Sequence, residues 1–444
     1  LDYIPRLADA QLERACQLNP VVLVTGARGV GKTTTALRAA NTSAFLDDAS
    51  TRTVFHDDPE AALALYDESL LVDEWQLVPE VVRAIKRTVD RDRRPGRFIL
   101  TGSPDPRGRS EFQALTGRAG VIRLNPMNMR ELTSGGLGAL QAQGVGWLNP
   151  MTIGERGVQV ADLHPNPTVA GLLAGNPPAV SPKQAFNIFG YLDLAAVGGF
   201  PACAPEGSVA RSQEWCSDYL SVLLRRDLPL FGTRRSASHF RRYLAASALH
   251  TARSPEDGSL RKDAGVNPGT HRDYRHILLD MDVTVEVPAF SSEDVPSLAK
   301  SPKMLFSDSA LLIAAMDVPL ARLKLNGDLY GRVLETFVIN QLRCELEALG
   351  MRDALSHLRT HKGVHEIDAV IETPEGGIIA IEVKSANRHR PGDAKHIEWL
   401  AEKVGDRFIL GLVLTTGAHI TKIRSNSTNT SDKIWSAPIS VLWH

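Results

Sequence analysis

The chain has 444 residues, too many for one ordinary core, so two to four domains are expected. Apolar residues make up 43% and charged residues 23%, with a formal net charge of −1, which is the balance of a soluble globular protein. No apolar run reaches the roughly 18 residues of a membrane helix, the first dozen residues are too charged for a signal peptide, and Cys16, Cys203, Cys216 and Cys344 form no CxxC pair. A cytoplasmic protein with no membrane partner, structural zinc or disulfide framework is therefore expected, and any nucleic-acid binding must come from local basic patches.

The first stretch, to residue 133, alternates strands and helices. Val21 to Val24 is a wholly apolar run between Pro20 and a glycine-rich loop, as expected of a buried parallel strand, and Thr33 to Ala40 reads as a helix. Leu70 to Val72, Phe98 to Leu100 and Val121 to Leu124 are three further strands, which predicts a three-layer α/β domain.

Between the first strand and helix lie Gly26, Ala27, Arg28, Gly29, Val30, Gly31, Lys32, Thr33 and Thr34. Glycines at this spacing let backbone N–H groups turn inward on phosphate oxygens, and the following helix adds its positive end. Lys32 is then placed for the β- and γ-phosphates and Thr33 for Mg²⁺, so ATP with Mg²⁺ is the expected ligand. The strand Leu70 to Val72 runs into Asp73 and Glu74: Asp73 suits the Mg²⁺ shell and Glu74 the attacking water. Thr101 or Ser103, ending the next strand, could sense the γ-phosphate, although turn chemistry explains the same residues. Arg118 could act as an arginine finger in a neighbouring subunit of a homo-oligomer, or simply form a surface ion pair. The basic cluster Arg83, Lys86, Arg87, Arg91, Arg93, Arg94 and Arg97, and a second from Arg225 to Arg242, read either as nucleic-acid patches or as solvated helix faces.

Residues 134–182 are rich in Gly, Pro and Ala and read as a weakly structured insertion. Helical periodicity returns over 183–250, suggesting a lid-like region, and residues 251–302 form a small module. There Ser259 to Val266 and Asn267 to Leu279 fit a helix-turn-helix with Gly265 in the turn, and Val283 to Val287 fit a wing strand. Arg272 and Arg275 would project from the second helix, with Tyr274, Ile277 and Leu278 packed inward. DNA contact and interdomain packing both remain open for such a module.

The last stretch, 303–444, contains HEIDAVIETPEGGIIAIEVKS. Setting Thr373 opposite Gly377 across the PEGG turn pairs Ile371 with Ile379, Ala369 with Ile381 and Ile367 with Val383 on one apolar face. The other face then pairs Asp368 with Glu382 and Glu366 with Lys384. Facing carboxylates repel, so a cation between them is expected.

The succession YIPR, GARGVGKTT, LLVDEWQLVPE, RFILTGS, LTGR, VGGFPA, a Trp–Tyr–RRDL helix, PKMLFSD and EIDAVIE…IEVKS resembles a prokaryotic group of AAA-superfamily ATPases. These carry a C-terminal domain of unknown function that is similar to PD-(D/E)XK nucleases. The resemblance implies ATPase activity, a winged helix in the middle, and a nuclease-like α/β domain at the end. It further implies that Asp368, Glu382 and a helical Glu335 hold a second divalent ion while Lys384 polarises water. Two functions follow: an ATPase acting on nucleic acid, or a nucleotide-dependent switch or scaffold whose nuclease-like fold is silent.

Overall fold

The computed structural model describes residues 3–102, 113–135, 167–178, 186–226, 228–231, 237–253, 257–292, 295, 301–360, 363–424 and 432–443. Most of the expected insertion, and Ser103, lie outside the described residues. Within the insertion's span the helix Pro167–Leu173 is described, with Val169 and Leu172 buried.

Five parallel strands form the first sheet: β1 Val21–Thr25, β2 Thr42–Phe45, β3 Leu70–Asp73, β4 Phe98–Thr101 and β5 Ala119–Arg123, in the order β2-β3-β4-β1-β5. Alternate residues point to opposite faces, as strand geometry requires. Val22, Val24, Leu71 and Ile99 join one core with Leu12 and Ala36, while Val21, Leu23, Val72 and Leu100 join another with Val81 and Ile85. This is the expected three-layer arrangement, with β2 as an additional strand. Because β4 separates β1 from β3, the loop after β1 and the acidic end of β3 converge above the end of β4.

The middle is helical, built from Ile188–Val197, Val209–Arg226 and Ala237–Leu249. Next come Asp257–Ala264 and Pro268–Asp280, turned at Gly265 with φ +66°, which is left-handed backbone that suits glycine. Asn267 caps the second helix by accepting the Thr270 N–H at 2.8 Å, and Tyr274, Ile277 and Leu278 are buried as expected. Strands β6 Thr284–Val287 and β7 Lys303–Phe306 pair antiparallel. The helix Ser309–Met316 packs on Val209–Arg226 and Ala237–Leu249. By their packing β7 and this helix belong with the middle module, not with the last stretch at whose start the sequence reading put them.

A 22-residue helix, Gly327–Ala348, opens the final unit. A six-stranded mixed sheet follows, ordered β12-β13-β11-β10-β9-β8. Its strands are β8 Leu355–Arg359, β9 Glu366–Glu372, β10 Ile378–Lys384, β11 Phe408–Thr415, β12 Thr421–Lys422 and β13 Ile434–Pro438. The long helix reaches every other part. Gln341 Oε1 accepts Met129 N–H at 2.7 Å, Tyr330 donates to Ile188 O at 2.6 Å, Asn340 donates to Phe306 O at 3.3 Å, and Gln11 donates to Glu347 O. No helix among the described residues is long and apolar enough to cross a membrane.

Candidate functional site

The loop after β1 closes on the helix Lys32–Leu37 through Gly31 at φ +99°. A side chain at Gly31 would be strained by that φ, and its Cβ would lie 3.6 Å from Arg6 Nη1 and from Pro201 Cγ. Lys32, nearly buried, donates to the carbonyls of Gly26 and Ala27 at 2.9 Å each. Burial pushes its ammonium down to about 8, against the pull of Glu74 and other acidic neighbours. A lysine destabilised in this way gains from an anionic phosphate.

Asp73 Oδ1 at the end of β3 accepts the Thr33 hydroxyl at 2.9 Å and also the hydroxyl of Thr101, which ends β4. Burial raises its carboxyl above the usual range, and the two hydroxyls oppose that rise. Thr33 and Asp73 thus share one point, and this donor set fits a hydroxyl-and-carboxylate Mg²⁺ shell. Glu74 follows at φ +53°, left-handed for a non-glycine residue, and accepts from the Gln76 amide. The bend turns Glu74 out of the line of the strand.

Three contributors to this site lie outside the motifs. Arg6, from YIPR, is buried and donates to Val30 O at 3.1 Å, Asn125 O at 2.6 Å and Glu131 at 3.2 Å, which ties the loop to the start of the chain. Trp215, stacked on Tyr219 with ring centroids 5.1 Å apart, lies 3.8 Å from where a Cβ on Gly29 would stand. Pro201, from VGGFPA, stands against Gly31. The only sequence signal for these residues was the resemblance that quoted YIPR, VGGFPA and the Trp–Tyr helix.

Arg118 precedes β5, and its carbonyl accepts from Val21 N at 3.3 Å, so it sits at the opposite end of β1 from the loop. Its Nε donates to Asp90 at 2.6 Å. It therefore takes no part in its own chain's phosphate site. The neighbouring basic cluster is partly ion-paired: Arg87 and Arg91 to Glu60, Arg94 to Asp92, while Arg97 is buried on the carbonyls of Tyr66 and Glu68. On the helix Pro268–Asp280, Arg275 is engaged by Glu286 at 2.7 Å, whereas Arg272 and His276 are exposed.

In the last domain the register expected across the PEGG turn holds from Glu372–Ile378 to Ala369–Ile381 and then ends. Ser356 to Leu358 of β8 spans Val370 to Ile367 of β9, so β9 bulges by one residue at Asp368–Ala369. Three expected pairings are corrected beyond that point. Ile367 packs with Val370, Ile378 and Ala380 on the face opposite Ala369, and does not pair with Val383. Asp368 is not in ladder register with Glu382; its Oδ2 accepts the Val383 N–H at 2.8 Å instead. Lys384 bonds Glu382 on its own strand at 2.7 Å, not Glu366 across the turn.

The second divalent ion expected here finds no support in the arrangement of side chains. Among the described residues no group of three or more His, Cys, Asp or Glu side chains is arranged to hold a metal. The positive charge amid Glu335, Glu366 and Asp368 is instead the ammonium of Lys303 on β7.

Residues 18–133 match the family described as an AAA domain, a match which covers the P-loop and the strand that ends in Asp73. Residues 189–322 and 330–435 match two domains of unknown function, DUF8612 and DUF4143. Uncharacterized proteins of Mycobacterium bovis and Mycobacterium tuberculosis are each 28% identical over 374 residues, 83% of this chain and 71% of theirs. A Walker-type ATPase of Pyrococcus abyssi, 13% identical, matches 69% of this chain and 94% of its own at a TM-score of 0.38, too low to carry an argument.

Proposed function

We propose that the chain is an ATP-hydrolysing switch, in which the nucleotide state at the loop Gly26–Thr34 is passed to the helical module and the domain beyond it. In this reading Lys32 and the loop N–H groups hold the phosphates, Thr33 and Asp73 hold Mg²⁺, and Glu74 orients the attacking water. The observation that carries it is the meeting of Thr33 and Thr101 on one oxygen of Asp73, which joins loop, metal ligand and adjacent strand end. Transmission is supported by Pro201 and Trp215, which come from the helical module and stand against Gly31 and Gly29. Lys32→Ala is expected to abolish ATP binding, whereas Glu74→Gln should bind ATP and hydrolyse it at least about 100-fold more slowly, as loss of general-base catalysis predicts. Wild-type turnover in Glu74→Gln would remove Glu74 from the chemistry and with it this reading of the site.

A nucleic-acid partner is the second reading, supported by exposed Arg272 and His276 on the outer side of Pro268–Asp280. Contacts of that kind reach phosphates, so affinity would fall steeply with salt.

A further inference from the structure

The acidic end of the β9–β10 hairpin poses a charge problem. Glu335 and Glu382 are almost wholly buried, and Asp368 is largely so. Glu382 is paired with Lys384 on its own strand, but Glu335 and Asp368 would be costly as lone anions, and the carboxylates together repel. Burial, reinforced by the charge of Asp368, pushes both glutamic acids up to about 8. A nuclease-like fold would be expected to meet this cost with a divalent ion.

Here a side chain from another module meets it. Lys303 lies on β7, where it pairs with Val287, and has no exposed surface. Its Nζ donates to Glu335 Oε1 at 2.6 Å and stands 3.9 Å from both Glu366 Oε1 and Asp368 Oδ1. Burial pushes this amine down, yet the three carboxylates more than offset that and hold it above its ordinary range. We infer that Lys303 is the built-in counter-ion of this cluster, so that the C-terminal domain carries a lysine–carboxylate clamp where a nuclease-like site would carry a metal.

The clamp serves two ends. It compensates the carboxylates without a dissociable ligand, and it pins β7 to the helix Gly327–Ala348 and to β9. It also opposes a metal, because a divalent ion bound to Asp368 would stand no more than about 6 Å from an ammonium. Even with the full screening of bulk water that repulsion lowers affinity about tenfold, and a drier site lowers it further. Glu382 Oε1, buried with no hydrogen-bond partner among the described residues, is the oxygen a metal would take if the ammonium were removed. The inference is independent of ATP hydrolysis and deepens only the part of the switch reading that concerns the silent C-terminal domain.

The test is Mn²⁺ binding to the nucleotide-free full chain, followed by electron paramagnetic resonance and counted as the part that depends on Asp368. Wild type should show none. Lys303→Met, similar in shape and uncharged, should gain at least about tenfold in affinity, and adding Asp368→Asn should remove the gain. Saturable Mn²⁺ binding in wild type that Asp368→Asn abolishes would overturn the inference, as would a folded Lys303→Met with no gain. Should Lys303→Met fail to fold, the comparison of wild type with Asp368→Asn decides alone. ATP turnover measured on the same samples separates the two conclusions: an inactive P-loop leaves the clamp untouched, and a metal in the clamp leaves the ATPase untouched.

Discussion

Asp308 Oδ2 accepts the backbone N–H of Gly199 at 2.8 Å, while its Oδ1 accepts those of Ala310 and Leu311 at 2.9 and 3.0 Å. One buried carboxylate therefore caps the helix Ser309–Met316 and holds the VGGFPA turn whose Pro201 stands against Gly31. The turn has no slack on its other side, because Gly199 O accepts from Met127 N at 2.7 Å and a Cβ at Gly199 would collide with the Met127 backbone. Asp308 follows Lys303 by only five positions, so the segment that seals the carboxylate cluster also sets the position of the nucleotide loop.

Asp308→Ala should therefore act at a distance. Losing a charge-assisted cap and leaving the Gly199 N–H buried without a partner costs about 2 kcal/mol or more, readable in urea unfolding. In folded protein the KM for ATP should rise several-fold with a smaller change in kcat, since the loop's support is loosened and no reacting group is removed. An unchanged KM would show that the VGGFPA turn holds its place without Asp308.

Lys32 predicts a pH profile. Its ammonium is held down to about 8 by burial, whereas bound phosphate raises it, so ATP binding takes up a proton above pH 8. Affinity should be flat below that pH and fall by about tenfold per unit above it, until the pKa of the complex is reached. Calorimetric titration from pH 7 to 9.5 tests this. Lys32→Arg, which stays protonated throughout, should give a flat profile even where its affinity is lower. A wild-type profile that is also flat would remove the lysine as the titrating group.

Arg118 distinguishes a self-sufficient subunit from a shared site. It lies at the end of β1 remote from Lys32 and is bound to Asp90, so a monomer should lose nothing when Arg118 becomes Ala. If neighbouring subunits complete one another, Arg118→Ala should lower turnover by about 10³ to 10⁵. Mixing it with Lys32→Ala should then restore activity, since each partner supplies what the other lacks. A fall in turnover without rescue on mixing would point to damage within the subunit.

The sequence disclosed most where chemistry and pattern coincide along the chain. The loop from Gly26 to Thr34, and Asp73 at the end of β3, were legible because an apolar strand, a turn and a helix follow one another without interruption. Strand β2 was not, since TSAF offers only Ala44 and Phe45 as apolar residues and Phe45 points outward. The hairpin register was readable from the PEGG turn as far as Ala369–Ile381, because turn geometry fixes pairing from its own end outward. The bulge at Asp368–Ala369 has no residue signature of its own; it shows only in how β9 pairs with β8. The need for a cation among the carboxylates followed from charge alone. That a lysine supplies it did not, because Lys303 is 32 residues from Glu335 and KMLF reads as a plain strand. Arg6 was hidden for the same reason: its partners Val30, Asn125 and Glu131 are brought together only by the fold.

The helix Gly327–Ala348 carries a consequence for how this chain can be divided. At about 1.5 Å per residue its 22 residues run some 33 Å, and along that length it completes hydrogen bonds for Gln11, Met129, Ile188 and Phe306. Those groups are shaped to meet it and would stand bare without it. A gene cut before residue 327 would part the nucleotide-binding portion from the surface on which it rests, and the remnant would present a dry, unsatisfied scar to water. Inheritance should therefore treat the long helix as property of the ATPase as much as of the domain it begins. Recombination that exchanges the last sheet for another would be tolerated after Ala348 far more readily than before Gly327.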